Sequence, residues 1–256
     1  MADKTPIGFL DSWTCRFGAD SLDFVELGTS PVLANFPEEG VVFCEKDGSR
    51  ICLDRSGIED LMSCTWASHL LLEDQRLLAE REFWAFPPPV SPSTPFGNVP
   101  SSADVGCTEL LRHGTFLFES LCVQRIGLVE GVDVGLGLFA RRPIPRGTYL
   151  GEYVGVLTRR VCEDDGLYGF ALPVVDPDLV VNASKFGNLC RLINHSDDDW
   201  NAELVSVHHE GLLHVLCRAI RDIMLDEQVL IHYGKRYWMP ESRRQVRLGG
   251  SVTDTS

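Results

Sequence analysis

Apolar and polar positions alternate in short bursts along most of this chain, and the bursts change character before its middle. In VVFCEKDGSRICLD (41–54), two arms rich in β-formers flank Asp47-Gly48. That pattern predicts a hairpin closed by a type I′ turn. From Ile58 to about Phe83, Leu61, Leu70, Leu71, Leu77 and Leu78 recur near three- and four-residue spacing, which predicts a helix. FPPPVSPSTPFGNVPSSADVG (86–106) then sets six prolines among Ser and Gly, and an extended linker or wrapping loop is expected there. Beyond it, TFLFESLCVQRIGLVE, YLGEYVGVL, LYGFALPVV, LVVNAS, AELVSVHHEGLLHVLCRAI and QVLIHYG are β-rich and bounded by Gly, Pro, Asn or Asp. These predict short strands in small sheets with few helices between them.

The expected organisation is a mixed α/β N-terminal region (1–85), the linker (86–106), a mostly β region (107–240) and a C-terminal tail (241–256). With 256 residues, 44% of them apolar, the chain can bury a sizeable core without covalent staples. A net charge of −14 alters the list of partners. Residues 1–75 alone hold fourteen acidic against five basic side chains. Such a field repels phosphates and favours a basic protein or peptide, so direct nucleic-acid binding is not expected. Nine cysteines at irregular spacing include no C-x-x-C or C-x-C pair. They read as reduced, small hydrophobes of an intracellular protein of the nucleus or cytoplasm, not as a disulfide framework or zinc cluster. An exported effector acting in a host nucleus has the same composition. No run of 18 apolar residues occurs, and no membrane partner is expected.

Three stretches carry candidate chemistry. DVGLGLFARRPIPRGTYLGEYVG (133–155) holds Gly135 and Gly137, but RRPIPRG, with its two prolines, is no helix start. A dinucleotide loop is thereby excluded. The remaining choices are a bend in a hairpin or a close backbone approach to a ligand. VVNASKFGNLCRLINHS (180–196) runs from a strand through polar and apolar turns into Asn194-His195. A metal is not implied, because no second His or Cys stands at ligand spacing. Asp197, Asp198 and Asp199 read as a solvated acidic turn. DEQVLIHYGKRYW (226–238) brings a strand to Tyr233-Gly234, with Tyr237 and Trp238 close behind. These aromatics either close a core edge or line a cleft.

In this order the stretches resemble the SET-domain protein lysine methyltransferases over about residues 115–238. GLGLFA is similar to the family's first cofactor loop, GEYVG to a strand motif, VVNASKFGNLCRLINHS to its signature turn and DEQVLIHYG to its closing strand. The resemblance implies a mostly β fold of small sheets around a pseudoknot-like crossing. There Asn-His and the closing tyrosine meet around S-adenosylmethionine. It implies Tyr233 as the catalytic residue, and Leu136, Gly137, Tyr168, Arg191, Asn194, His195 and Trp238 as cofactor-binding residues. The substrate implied is a lysine of a basic protein, with histone tails and chromatin the natural candidates.

Two departures follow from the same comparison. The family's usual cysteine after NHS is Asp197, and no cysteine follows Cys217, so no structural zinc is expected. KRYWMPESRRQ (235–245) becomes the candidate wall of the substrate channel. Ile231 and His232 replace an aromatic and an aspartate of the family pattern. They feed the alternative that the chain is a catalytically weak interaction module of the same fold.

Overall fold

The computed structural model describes residues 16–19, 22–27, 36–37, 39–45, 47–68, 70–72, 117–159, 167–172, 179–209, 212–238 and 248. Short strands dominate. Six form the largest sheet, in the order Arg16–Ala19, Leu22–Leu27, Leu70–Leu72, Val156–Arg159, Leu179–Asn182, Gly169–Ala171. A four-stranded sheet orders Leu136–Ala140, Leu121–Arg125, Val41–Cys44 and Arg50–Leu53, and a three-stranded one orders Tyr149–Glu152, Leu212–Ala219 and Ala202–His209. Two-residue pairs join Thr65–Trp66 to Phe186–Gly187 and Asn194–His195 to Leu230–Ile231, both parallel. The mostly β class of small sheets is what the residue pattern predicts.

The hairpin of residues 41–54 is present, with Val41 opposite Leu53 and Cys44 opposite Arg50. Its turn differs from the expected one. Gly48 alone of the Asp47-Gly48 pair is left-handed (φ +83°). The Gly48 amide donates to Glu45 O and the Glu45 amide to Ser49 O, so the loop is longer and carries the bulge form that one left-handed glycine closes.

The helix expected from Ile58 to about Phe83 is corrected. A helix spans Arg55–Met62, capped where the Gly57 amide donates to the Asp54 carboxylate at 2.8 Å. It stops at Ser63, whose φ of 50° is left-handed. Leu70–Leu72 is then a strand buried at every position, between Leu22–Leu27 and Val156–Arg159. A central strand covered on both faces reads as a continuous apolar run, and leucine spacing cannot tell it from a helix. Residues 73–83, the proline-rich stretch and all of the tail but Leu248 lie outside the described residues.

Residues on both sides of that proline-rich stretch share one core. Val41, Phe43, Ile58, Met62, Trp66, Leu70 and Leu72 pack in a single buried cluster with Val123, Leu138, Leu157, Ile193 and Ile231. Phe43 pairs in parallel with Val123, and Leu71 with Val156. The N-terminal elements thus supply strands to the sheets that carry the site.

Candidate active site

The site forms where the NHS segment and the closing segment run side by side. Asn188 prepares it. Its side chain accepts from the Cys190 amide at 3.0 Å and donates to Glu152 O at 2.8 Å. This fixes the 3-10 turn Leu189–Leu192, all four residues of which are buried. The chain then straightens, and Asn194 and His195 pair with Leu230 and Ile231. Asn201 locks the far edge: its Oδ1 accepts from the Leu230 amide at 2.9 Å and its Nδ2 donates to Gln228 O at 2.7 Å. The Asn194 side chain reaches the first loop, donating to Leu136 O at 2.8 Å.

Tyr233 is held at both ends. Its amide donates to His195 Nδ1 at 3.0 Å, and its hydroxyl donates to Ile193 O at 2.6 Å. Among the four residues most central to the expected site, hydrogen bonds join Leu136 to Asn194 and His195 to Tyr233, and the Asn194–His195 peptide joins the two pairs. Burial pushes the Tyr233 phenol well above its ordinary value, and Tyr237, Tyr153 and Tyr168 nearby push it further in the same direction. Such a phenol stays protonated at neutral pH. It cannot serve as a base, but its oxygen keeps lone pairs to accept a hydrogen bond. Burial also lowers the pKa of His195, against the opposing pull of Asp197, so its ring is neutral near pH 7.

Trp238 belongs to the same cluster. Its ring lies 5.0 Å from that of His195 and is stacked at 6.1 Å on that of Tyr233, with Tyr237 wedged edge-on between them. Tyr237 donates to Leu167 O at 3.1 Å, which joins the segment at 235–238 to the strand region around Tyr168. Leu248 O accepts from Ser196 Oγ at 3.0 Å, so the tail touches the NHS turn. Residues 239–245 of the expected channel wall lie outside the described residues.

Two expected ligands have other duties. Arg191 is buried, and its guanidinium donates to Ala183 O, Met62 O and Ser184 O. It also lies 3.8 Å over the Tyr168 ring. The side chain is thus a brace between the signature turn and the N-terminal helix, leaving its main chain as the part able to face a ligand. At Gly137 a Cβ meets Gln228 Nε2 and Ile126 Cδ1, each at 2.7 Å. The missing side chain there serves internal packing. Gly135, with φ +76° and open space around a Cβ, makes the bend.

Sequence reasoning missed Asp197, Tyr153 and Asn201. Asp197, read as part of a solvated turn, contacts both His195 Nε2 (3.1 Å) and His232 Nε2 (3.3 Å). Tyr153 donates to Tyr168 O at 2.7 Å. The sequence signal for all three was proximity to a motif, with nothing in the residue type to mark a role.

The residues present fit S-adenosylmethionine on two structural grounds. Trp238 Nε1 and Gln228 Nε2 are buried donors without an acceptor among the described residues, a costly state that a polar ligand relieves. The Trp238 ring, half-buried beside His195 and Tyr233, offers a face of the kind on which a purine stacks. Among the described residues no cluster of His, Cys, Asp and Glu can hold a metal ion, and no helix there is long and apolar enough to cross a membrane.

Residues 135–234 match the family described as SET domain. Human histone-lysine N-methyltransferase 2B is 32% identical over 120 residues, which is 43% of this chain and 4% of that protein. The H3 lysine-4 specific histone-lysine N-methyltransferase of Schizosaccharomyces pombe is 34% identical over 107 residues, 38% of this chain and 11% of that protein. A solved structure of an active polycomb repressive complex 2 in the stimulated state aligns with a TM-score of 0.41 at 26% identity, over 49% of this chain and 16% of that one. The chain therefore spans a small fraction of the length of each of these relatives.

Proposed function

We propose that this chain, a member of the SET-domain lysine methyltransferase family, transfers a methyl group from S-adenosylmethionine to a lysine side chain of a basic protein, histones foremost. The observation that carries this reading is the meeting of Asn194, His195 and Tyr233 across two paired segments, with Tyr233 fixed through both its amide and its hydroxyl. The cofactor supplies an activated methyl on a sulfonium, whose departure leaves a neutral thioether and calls for no acid. What the protein contributes is alignment, which is worth about 7–11 kcal/mol when geometry is held.

Tyr233 is the catalytic residue in this proposal. Its proton is committed to Ile193 O, so its oxygen is left to accept from the incoming amine and from the polarised methyl. Free lysine has a pKa of about 10.4 and must arrive neutral. An apolar approach beside a cation lowers that value, and the protonated Tyr233 adds no charge to hold the ammonium. Leu136 and Gly137 through their main chain, Asn194 and His195 beside them, Tyr168 and Trp238 through their rings, and Arg191 through its main chain would hold the cofactor. The net charge of −14 suits a cationic substrate.

The test is transfer of labelled methyl from S-adenosylmethionine to core histones, compared with Tyr233→Phe. Calorimetry with S-adenosylmethionine separates a transferase from a fold-only module, which has no need to bind it. Absence of both binding and transfer in the intact chain removes the proposal.

A further inference from the structure

We propose that Asp197 is a positioning residue of this site, holding the His195 ring in the one tautomer that can anchor Tyr233. The consequence at Tyr233 rests on the methyl-transfer reading; the ring state rests on geometry alone. An amide N–H can only donate. Since the Tyr233 amide lies 3.0 Å from His195 Nδ1, that nitrogen must offer its lone pair. A neutral imidazole then carries its single proton on Nε2. Nε2 lies 3.1 Å from Asp197 Oδ1, an acceptor of matching character. In the other tautomer, Nδ1–H faces N–H and a lone pair faces a carboxylate. Both contacts are then repulsive, so the carboxylate and the amide select the same state.

The ring has little freedom to escape this choice. His195 is 4% exposed, and the rings of Trp238, His232 and Tyr233 stand 5.0, 5.2 and 5.3 Å from it. The groups facing it are Asp197 from its own turn, the Tyr233 amide, the Ile231 carbonyl (a backbone acceptor) and His232 from the closing segment, and Trp238 from the 3-10 turn Lys235–Trp238. His232 Nε2 approaches the same Asp197 oxygen at 3.3 Å from the opposite segment. One carboxylate thereby ties together the two segments whose meeting builds the site. The Asp197 side chain is 54% exposed, so its removal opens no internal cavity; its contacts with the His195 and His232 rings are what the removal breaks, and the tautomer readout isolates the part carried by His195.

The experiment uses the full chain labelled with 15N, reading the ring nitrogens of His195 by long-range proton–nitrogen correlation and assigning them with His195→Gln. In the native chain Nδ1 is expected unprotonated and Nε2 protonated. In Asp197→Ala the two signals move towards a tautomer average; in Asp197→Asn, whose Oδ1 still accepts, the native pattern returns. With core histones and labelled cofactor, Asp197→Ala is expected to lose about tenfold in kcat, a modest loss of alignment, with KM for S-adenosylmethionine within about twofold. Asp197→Asn recovers the plateau but shifts the acid limb to lower pH, because the charge that favours the imidazolium is gone. An unchanged single tautomer in Asp197→Ala overturns the proposal, and so does a kcat loss that Asn fails to recover while the tautomer is restored. If the tautomer responds but the native chain methylates no histone, Asp197 still positions Tyr233, and the methyl-transfer reading alone is lost.

Discussion

Tyr233→Phe removes one oxygen from the site and little else. The ring contacts with His195, Tyr237 and Trp238 and the amide bond to His195 are independent of the hydroxyl. What disappears is the 2.6 Å bond to Ile193 O. A neutral hydrogen bond of this kind contributes about 0.5–1.5 kcal/mol net, and in a chain of this size each kcal/mol moves Tm by about 2–4 °C. The variant is therefore expected to melt only a few degrees below the native chain. Activity is expected to fall much further, because a preorganised polar group at a reacting centre accounts for about 10²–10³ in kcat. Initial rates of labelled methyl transfer to histones, measured beside thermal melts, separate the two effects. The pH profile adds a second check. Burial keeps the native phenol protonated, so native and variant share the same alkaline behaviour. Equal rates in the two proteins would refute the role given to Tyr233, and an alkaline limb present only in the native chain would refute its neutrality.

Three further outcomes are expected. Arg191→Met takes a guanidinium donor from three backbone carbonyls, of which Met62 O and Ala183 O are bonded in a buried place and Ala183 O keeps Cys64 Sγ, and is expected to cost about 2–3 kcal/mol in urea unfolding; a loss under about 1 kcal/mol would show that water replaces the guanidinium. Gly155→Ala drives a Cβ to 2.5 Å from Asn182 O and 2.9 Å from the Ala183 amide nitrogen, both backbone. An overpacking cost of about 1–3 kcal/mol is expected, more than for Gly137→Ala, whose neighbours are flexible side-chain ends. Folding stability should also fall with acid in two stages. His195 has a folded pKa below its ordinary 6.5, so its contribution is present above that value and lost as pH drops through the folded one. Glu227 is raised by burial, but bonds from the Met224 amide, Asn201 and Arg221 outweigh this and lower it below 4.5, placing its loss at more acid pH. Urea midpoints against pH in His195→Gln should lack the first stage and keep the second.

How far the sequence could be read depended on the range of the interaction. Asn194, His195 and Tyr233 were legible because they sit inside ordered motifs with local chemistry. The hairpin at 41–54 was legible from its arms, whereas its turn type depended on which single residue went left-handed, and Gly48 alone did. Leu70–Leu72 misled because a strand covered on both faces has no alternation to display. The bracing role of the Arg191 side chain was hidden for a different reason. Its motif position pointed to a ligand, but the Met62 carbonyl that takes its guanidinium lies 129 residues away in the chain, and no local pattern announces such a partner. Asp197 was hidden among its neighbours Asp198 and Asp199, since all three lie exposed and only its contacts with His195 and His232 set it apart.

The same long-range contacts decide whether the segment that matches the SET family can stand alone. Residues 135–234 carry the motifs, but their core is completed by Val41, Phe43, Ile58, Met62, Leu70 and Leu72. Burying each such side chain contributes about 1.5–3 kcal/mol. Removing all six therefore forfeits about 9–18 kcal/mol, as much as the 5–15 kcal/mol that typically separates folded from unfolded chains. The loss also strips Leu121–Arg125 and Val156–Arg159 of parallel partners and leaves Arg191 without Met62 O. A chain begun at residue 107 is expected to lack a cooperative thermal transition and to bind no S-adenosylmethionine by calorimetry. A sharp melt with native affinity in that truncated chain would show that the N-terminal strands only decorate the site, and that the acidic region is an appendage and not half of its floor.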